Sequence, residues 1–388
     1  MTKTIPDALW GLIGQGVDAI DTPALVIDLD AMERNLQRMV DFTAKHQILW
    51  RPHAKMHKSA ELARLLMSAG AVGACVQKTS EAEALAAGGV TDLYISNQVI
   101  APAKLARIAT LAETLAGRGG WLALAVDSAL GIERLAQALQ GRRAKVRVLV
   151  EIDVGQGRCG VPPGEAVLPL VRQVLACPQL VFGGLQAYHG QAQHLRSPVE
   201  RRAAIAQAVR AVNLSGEVLQ AAGIQTPLIT GAGTGTLVLE TASGVYGELQ
   251  AGSFLFMDAD YAANERDPAQ PQFEHALFVK TQVMSRSAQH AVCDAGHKSH
   301  AIDSGLPTVH TWPGEPALRF GNGGDEHGLL YPTQAGQTLP ALGQTLWLIP
   351  GHCDPTVNLH DFMVGVRGGL KQGTVERIVT VDARGAVG

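Results

Sequence analysis

The stretch "WRPHAKMHKS", residues 50–59, sets His53, Lys55, His57 and Lys58 within six positions, directly after the apolar run "ILW". Read at the period of two of an extended strand, Arg51, His53 and Lys55 share one face and Pro52, Ala54 and Met56 the other. Adjacent basic groups on one face repel, so the arrangement calls for an anion among them. Desolvation and cationic neighbours both lower a lysine's proton affinity, and a neutral amine at Lys55 can form an imine with a carbonyl compound. A solvated loop lysine is the plain alternative, and the flanking His53 and Arg51 weigh against it. A second candidate is "ITGAGTGT", residues 229–236, where Gly231, Gly233 and Gly235 would let successive backbone N–H groups converge on a phosphate. A tight turn reads the same way. In "PGHCDPTVNLHD", residues 350–361, His352 and Asp354 stand two apart, so on a strand they share a face and could hold one divalent ion while Cys353 points away. The alternative there is a turn with Asp354 extended before Pro355. One histidine and one carboxylate leave positions for water, which suits Mn²⁺ first, with Mg²⁺ or Ca²⁺ as alternatives, better than structural zinc.

Two further stretches carry polar groups at strand ends. In "LQAYHG", residues 185–190, Gln186 and Tyr188 share a face. In "GQGRCG", residues 155–160, Arg158 sits among glycines after the apolar run "VRVLVEID", as either a turn residue or an anion contact.

These residues need a frame. Short apolar runs recur, each followed by a stretch with helical spacing: "ALVIDL" then "DAMERNLQRMVDFTAK", "AVGACVQ" then "TSEAEALAAG", "DLYIS" then "APAKLARIATLAETLAG", "WLALAVD" then "SALGIERLAQALQG". With "VRVLVEID", "QLVFGGLQAYHG" and "TPLITG" the rhythm fits about eight β/α repeats, and therefore a TIM-like (β/α)8 barrel of the α/β class. "ALVIDL" is expected as the first barrel strand, the Lys55 stretch at the end of the second, and "ITGAGTGT" at the end of the eighth. Asp30 is expected to open one helix, and Thr79 or Ser80 another. After about residue 265 the segments become short and partly alternating, separated by Gly, Pro, Asn and Asp, which reads as an antiparallel β domain. The expected domains are a barrel over 20–265 and a β-rich domain over 266–388, joined by the N-terminal segment 1–19.

Composition narrows the class. The chain has 388 residues, 46% apolar and 17% charged, with a net charge of −3. Nothing in this balance calls for nucleic acid as a partner. No run of about 18 apolar residues suggests a membrane helix, and the first twenty residues lack a signal-peptide pattern. Five scattered cysteines without a CxxC point to free thiols and a reducing, cytoplasmic setting.

An imine-forming lysine and a phosphate loop on one barrel mouth point together to pyridoxal 5'-phosphate. The set "DTPALVIDLDAMERNL", "RPHAKMHK", "GLQAYHG", "GAGTGT", "DAGHKS" and "GHCDPTVNLHD" resembles fold-type III enzymes of the alanine racemase-like barrel. Within these it is similar to the branch holding D-threonine aldolases and eukaryotic-type D-serine dehydratases, from about residue 20 onward. The resemblance implies Lys55 as the imine lysine and His53, Arg158, Gln186 and Tyr188 around the cofactor. Which of Arg158 or Gln186 faces the pyridine nitrogen stays open. It implies Thr230, Gly231, Gly233, Thr234 and Gly235 as the phosphate cradle, His352 and Asp354 as metal ligands, and a homodimer. Dehydratases of the branch resemble each other in His-x-Cys and aldolases in His-x-Asp, and this chain has the second. The implied reaction cleaves Cα–Cβ of a small amino acid, D-threonine or another D-3-hydroxy amino acid, to glycine and an aldehyde. The hydroxyl proton would go to His194 or a metal-bound water. A dehydratase giving a keto acid and ammonia, and a non-enzymatic cofactor carrier, are the alternatives. Asp294, Asp325, Glu326 and His327 are expected either behind the metal or in surface turns.

Overall fold

The structure, a computed structural model, describes residues 4–388. Strand β1 (Ala24–Asp28) precedes eight parallel strands: β2 (Leu49–Trp50), β3 (Ala74–Val76), β4 (Asp92–Ile95), β5 (Trp121–Val126), β6 (Val146–Glu151), β7 (Leu180–Ala187), β8 (Ile229–Gly231) and β9 (Glu248–Leu249). They run β2-β9-β8-β7-β6-β5-β4-β3, and a bridge from His53 to Cys75 on β3 closes the ring. The barrel is thus the expected (β/α)8 form. Helices pack around it, so strands such as β5 and β6 are covered on both faces and read as nearly unbroken apolar runs. The remaining strands, β10 (Leu277–Arg286), β11 (Ala291–Cys293), β12 (Thr308–Val309), β13 (Leu318–Asn322), β14 (Gly328–Pro332), β15 (Thr345–Ile349), β16 (Phe362–Arg367) and β17 (Thr374–Thr380), form a mostly antiparallel sheet.

Sheet membership departs from chain order. β1, expected as the first barrel strand, instead pairs antiparallel with β10 (Leu25↔Val279) and parallel with β16 (Ile27↔Gly365). Its run "ALVID" is buried from both sides and leads into the amphipathic helix Leu29–His46, the same pattern that a barrel repeat shows. The barrel therefore starts at β2. "TPLITG" supplies its seventh strand, and the eighth is the two-residue β9, too short to register as an apolar run. The N-terminal residues from 4 onward join the same β domain. Gly16 bridges Thr374, and the buried Lys280 amine donates to the carbonyls of Val17 at 3.0 Å and Ile20 at 2.6 Å.

Two caps also differ. Asp28, not Asp30, caps the first long helix by accepting from Ala31 N–H at 3.0 Å. The helix Thr79–Ala87 is capped from inside, where Glu81 accepts the N–H groups of Gln77 and Lys78 at 2.9 and 3.1 Å.

The barrel lumen is polar at its base. Arg51, just past β2, points into it and pairs with Asp92 at the start of β4 and with Glu248 of β9, at 3.1 Å for the latter. Glu248 also accepts from Thr230 Oγ1 at 2.8 Å. The anion that the basic stretch calls for is thus, at Arg51, a pair of carboxylates. Arg51→Met would leave Glu248 as an uncompensated buried charge beside the half-buried Asp92, and loss of one partner of a buried pair costs about 3–5 kcal/mol. Urea denaturation of the variant should show a loss of that size. Adding Glu248→Leu should recover part of it, and a variant as stable as the parent would refute the stabilising role of the Arg51–Asp92–Glu248 cluster.

Candidate active site

Above this base the C-terminal ends of the barrel strands open into a cavity of about 300 Å³, where catalytic groups of such barrels sit. The loop after β2 does not continue as a strand: residues 54–56 form a 3₁₀ turn. Each basic group of the stretch has its own surroundings. Lys58 is buried in an ion pair with Glu81. Burial lowers His57 to about 3, and its Nδ1 accepts from Ser59 N–H at 3.0 Å. Burial likewise holds His53 well below the usual imidazole range, so it is neutral and not the cationic neighbour expected. His53 Nδ1 accepts the Lys55 N–H at 3.2 Å, and its Nε2 lies 3.0 Å from the Gln77 amide and 3.4 Å from Ser96 Oγ. Lys55 alone turns its amine into the cavity toward an acid.

That acid is Asp354. Its Oδ2 lies 3.1 Å from Lys55 Nζ and 3.5 Å from His352 Nε2. The carboxylate raises the Lys55 amine above its ordinary value, outweighing burial, which reverses the direction expected from cationic neighbours alone. Burial would raise Asp354 in turn, but Lys55 and His352 hold it well below the usual carboxylate range. Burial pulls His352 down and the carboxylates of Asp354 and Asp303 outweigh it, raising the ring to about 9.

The segment bearing this pair is not a strand. His352 caps a short helix, Cys353–Val357, which brings the two side chains together across one turn. Cys353 is fully buried on the other side, its Sγ 3.4 Å from Met257 O. Buried Asp258 holds the turn in place: Oδ2 accepts from Cys353 N–H and Oδ1 from Tyr261 N–H, both at 3.0 Å.

The far side of the cavity is built by loops after β6, β7, β8 and β9. Arg158, Gln186, Tyr188, Gly233 and Thr234 line it, as does His53. Thr230 and Gly231 lie lower. Thr230 is spent on Glu248 and Gln250, and a Cβ at Gly231 would come within 2.4 Å of Ala187 O. The Gly235 N–H is already donated to Gln193 Oε1 at 3.0 Å. His194 lies outside the lining: its Nδ1 is 2.5 Å from Asp260 Oδ2 and its ring 5.7 Å from that of Tyr261, which does line the cavity. Asp325, Glu326 and His327 are exposed, Glu326 pairing with Lys298, and Asp294 accepts from Thr22 and Thr281 inside the β domain. None of the four stands behind His352.

Sequence reasoning missed Gln77, Ser96, Gln250, Gly252, Ser253 and Tyr261 of the lining, and Asp303, whose Oδ2 is 2.7 Å from His352 Nδ1. The signal for Gly252 and Ser253 was "LQAGS" after β9, a strand of two residues. These two complete an anion cradle with Gly233 and Thr234. The backbone N–H groups of all four meet no protein acceptor among the described residues. A Cβ would come within 2.5 Å of Gln193 Oε1 at Gly233 and 2.4 Å of His53 O at Gly252, so only glycine lets the loops lie this close. A phosphate fits there, with the imine-competent Lys55 across the same cavity. Among the described residues no group of three or more His, Cys, Asp and Glu is arranged to hold a metal. The His352–Asp354 pair still fits an open site: Asp354 Oδ1 is buried with no partner, and Asp303 behind His352 is the usual orienting carboxylate.

The alanine racemase N-terminal domain model matches residues 27–260, and the putative serine dehydratase domain model matches residues 276–366. The D-threonine aldolase of Arthrobacter sp is 44% identical over 373 residues, 96% of this chain and 95% of that protein. The 3-hydroxy-D-aspartate aldolase of Paracoccus denitrificans (strain Pd 1222) is 42% identical over 380 residues, 96% and 95% of the two chains. The crystal structure of D-threonine aldolase from Filomicrobium marinum aligns with a TM-score of 0.91 at 43% identity, covering 97% of this chain and 99% of that one. With barrel, β domain and relatives in agreement over nearly its whole length, the chain belongs to the alanine racemase-like, fold-type III family of pyridoxal phosphate enzymes, in the branch of the D-3-hydroxy amino acid aldolases.

Proposed function

We propose that the protein is a metal-assisted pyridoxal phosphate aldolase, cleaving D-threonine or 3-hydroxy-D-aspartate to glycine and an aldehyde. The observation that carries this reading is the buried Asp354 carboxylate, within 3.1 Å of Lys55 and beside His352, with its second oxygen unpartnered. When bound, the cofactor supplies an aldehyde for imine formation and a ring that takes up the electron pair from Cα, and Mn²⁺, or Mg²⁺ or Ca²⁺, supplies Lewis acidity toward the β-hydroxyl. Lys55 would hold the cofactor through its Nζ amine. Gly233, Thr234, Gly252 and Ser253 grip the phosphate through their backbone, and Arg158, Gln186 and Tyr188 set the ring. His352 Nε2 and Asp354 would hold the ion, with Asp303 orienting His352. The hydroxyl proton would go to a water beside the ion or, relayed by water because the ring lies outside the cavity lining, to His194 Nε2, the nitrogen that Asp260 leaves free. The Cα–Cβ bond then breaks, the hydroxyl oxygen becomes the aldehyde oxygen, and Cα is reprotonated to glycine. We propose a cytoplasmic homodimer. The five cysteines are free thiols, which supports a reducing compartment.

Borohydride reduction of the cofactor-loaded protein followed by peptide mapping should label Lys55. Lys78 borders the same cavity and Lys58 is locked to Glu81, so a label on either would overturn the assignment.

The C-terminal match to a putative serine dehydratase domain makes dehydration the rival. An oxygen ligand at Asp354 favours a hard, exchangeable ion, so chelation should abolish activity and Mn²⁺ restore it. Metal polarisation supplies several kcal/mol, so Asp354→Ala should lose at least roughly a hundredfold in kcat/KM. Cys353→Ser should stay active, because that side chain faces Met257. With D-threonine the parent should release acetaldehyde, and 2-oxobutanoate as the main product would install the dehydratase in its place.

One cofactor face and one ion position align Cα–Cβ with the ring in a single configuration at Cα. Activity should therefore appear with D- and not L-substrates, while both Cβ epimers react, since a partly hydrated ion holds the hydroxyl. Chiral analysis of residual substrate checks both points, and turnover of L-threonine would contradict the first.

A further inference from the structure

Beneath the 233–236 loop lies a carboxyl group that the proposed reaction leaves unused. Glu240, on the helix Leu237–Ser243, is 1% exposed. Its Oε1 accepts from the Thr236 hydroxyl at 2.7 Å, and its Oε2 is buried with no hydrogen-bond partner. Thr236 Oγ1 accepts in turn from Gln193 Nε2 at 2.8 Å, and Gln193 Oε1 accepts from Gly235 N–H at 3.0 Å. The chain of contacts leads from Glu240 to the loop whose Gly233 and Thr234 face the cavity.

A carboxylate buried with one bare oxygen is costly as an anion. The titratable side chains that feel its charge are Tyr188, past the end of β7, and Tyr246, ahead of β9, and burial keeps both as neutral phenols. No lysine, arginine or histidine among the described residues offsets it. Burial raises Glu240 to about 7 against the lowering effect of Thr236. A phosphate in the cradle adds a second anion nearby and favours the protonated acid further. We infer that Glu240 is a positioning residue that works as a neutral carboxylic acid, and that phosphate binding at the 233–236 loop is linked to one proton held on it.

The inference rests on the reading of this loop as the cofactor's phosphate site. Below about pH 7 Glu240 carries its proton and binding is undiminished. Above it the proton must be recovered from solvent, so the apparent Kd for pyridoxal phosphate gains a component rising about tenfold per pH unit. Glu240→Gln is the permanently neutral mimic and lacks that component.

Apoprotein titrated with pyridoxal phosphate, followed by imine absorbance, should give a ratio of parent to variant Kd that climbs roughly tenfold between about pH 6 and pH 8. With pyridoxal, which has no phosphate, the ratio should stay flat. A ratio independent of pH for pyridoxal phosphate, or an equal climb for pyridoxal, overturns the inference. Failure of the parent to take up pyridoxal phosphate at any pH overturns the cofactor reading itself, and the inference with it. Should the variant not fold, sulfate, which does not titrate in this range, serves as competitor in the parent apoprotein. Its inhibition constant should weaken over the same interval, and a constant that does not move, or no competition at all, refutes the linkage.

Discussion

The site depends on one charge contact at the cavity wall, Lys55 Nζ to Asp354 Oδ2 at 3.1 Å, because it joins two parts of the chain that fold as different sheets. Lys55 belongs to the barrel, and Asp354 to a helical turn between β15 and β16 of the β domain. A largely buried carboxylate survives only where cations answer it, and here Lys55 and His352 do so together. The turn cannot drift away from the barrel mouth, since Asp258 grips its first backbone N–H while also capping the helix that carries Tyr261. Met257 adopts a left-handed φ of 52° next to this grip. Backbone of that kind persists only where surrounding contacts over-determine it.

A second constraint lies below the cavity. Tyr94 OH and Gln250 Nε2 both donate to Gln186 Oε1, at 2.9 and 2.7 Å. Gln250 also reaches Thr230, Thr230 reaches Glu248, and Glu248 answers Arg51. The lumen is therefore a connected polar network standing on charges, rather than the layered aliphatic core common in such barrels. Its effect at the mouth is directional: the carbonyl end of Gln186 is committed downward, so the side chain keeps its orientation without a ligand.

Legibility followed the physics of each signal. Strands buried on both faces print as apolar runs, so β3 to β8 could be read directly, as could the antiparallel strands of the C-terminal part. β1 prints the same run because it too is buried on both faces, and no local pattern tells which sheet buries it. β9 is too short to print at all, and Gly252 and Ser253 were lost with it. The shift in the proton affinity of Lys55 was read in the wrong direction because its dominant partner lies 299 positions along the chain at Asp354. His352 and Asp354 were paired by a strand period although the segment is helical. The pairing survives because a cap residue and the second residue of the helix also meet across a turn. Thr230 and Gly235 illustrate the opposite case: their types suit a phosphate, but the barrel base and Gln193 had already taken their polar groups.

The two domains divide the chemistry by what each can hold still. Barrel loops after β8 and β9 offer bare N–H groups at fixed spacing, which suits a group recognised by shape and charge and says nothing about a substrate's Cβ. The β domain contributes His352, Asp354 and Asp303 on the side of the cavity that Lys55 faces. In the proposed reaction, substituents at Cβ would meet groups held by the β domain, and changes confined to the 303–304 and 352–354 segments would alter what is accepted there without disturbing the cradle. Shared barrel chemistry and divergent Cβ chemistry across one family follow from that separation, because a contact 3.1 Å long couples the two halves while their backbones belong to different sheets.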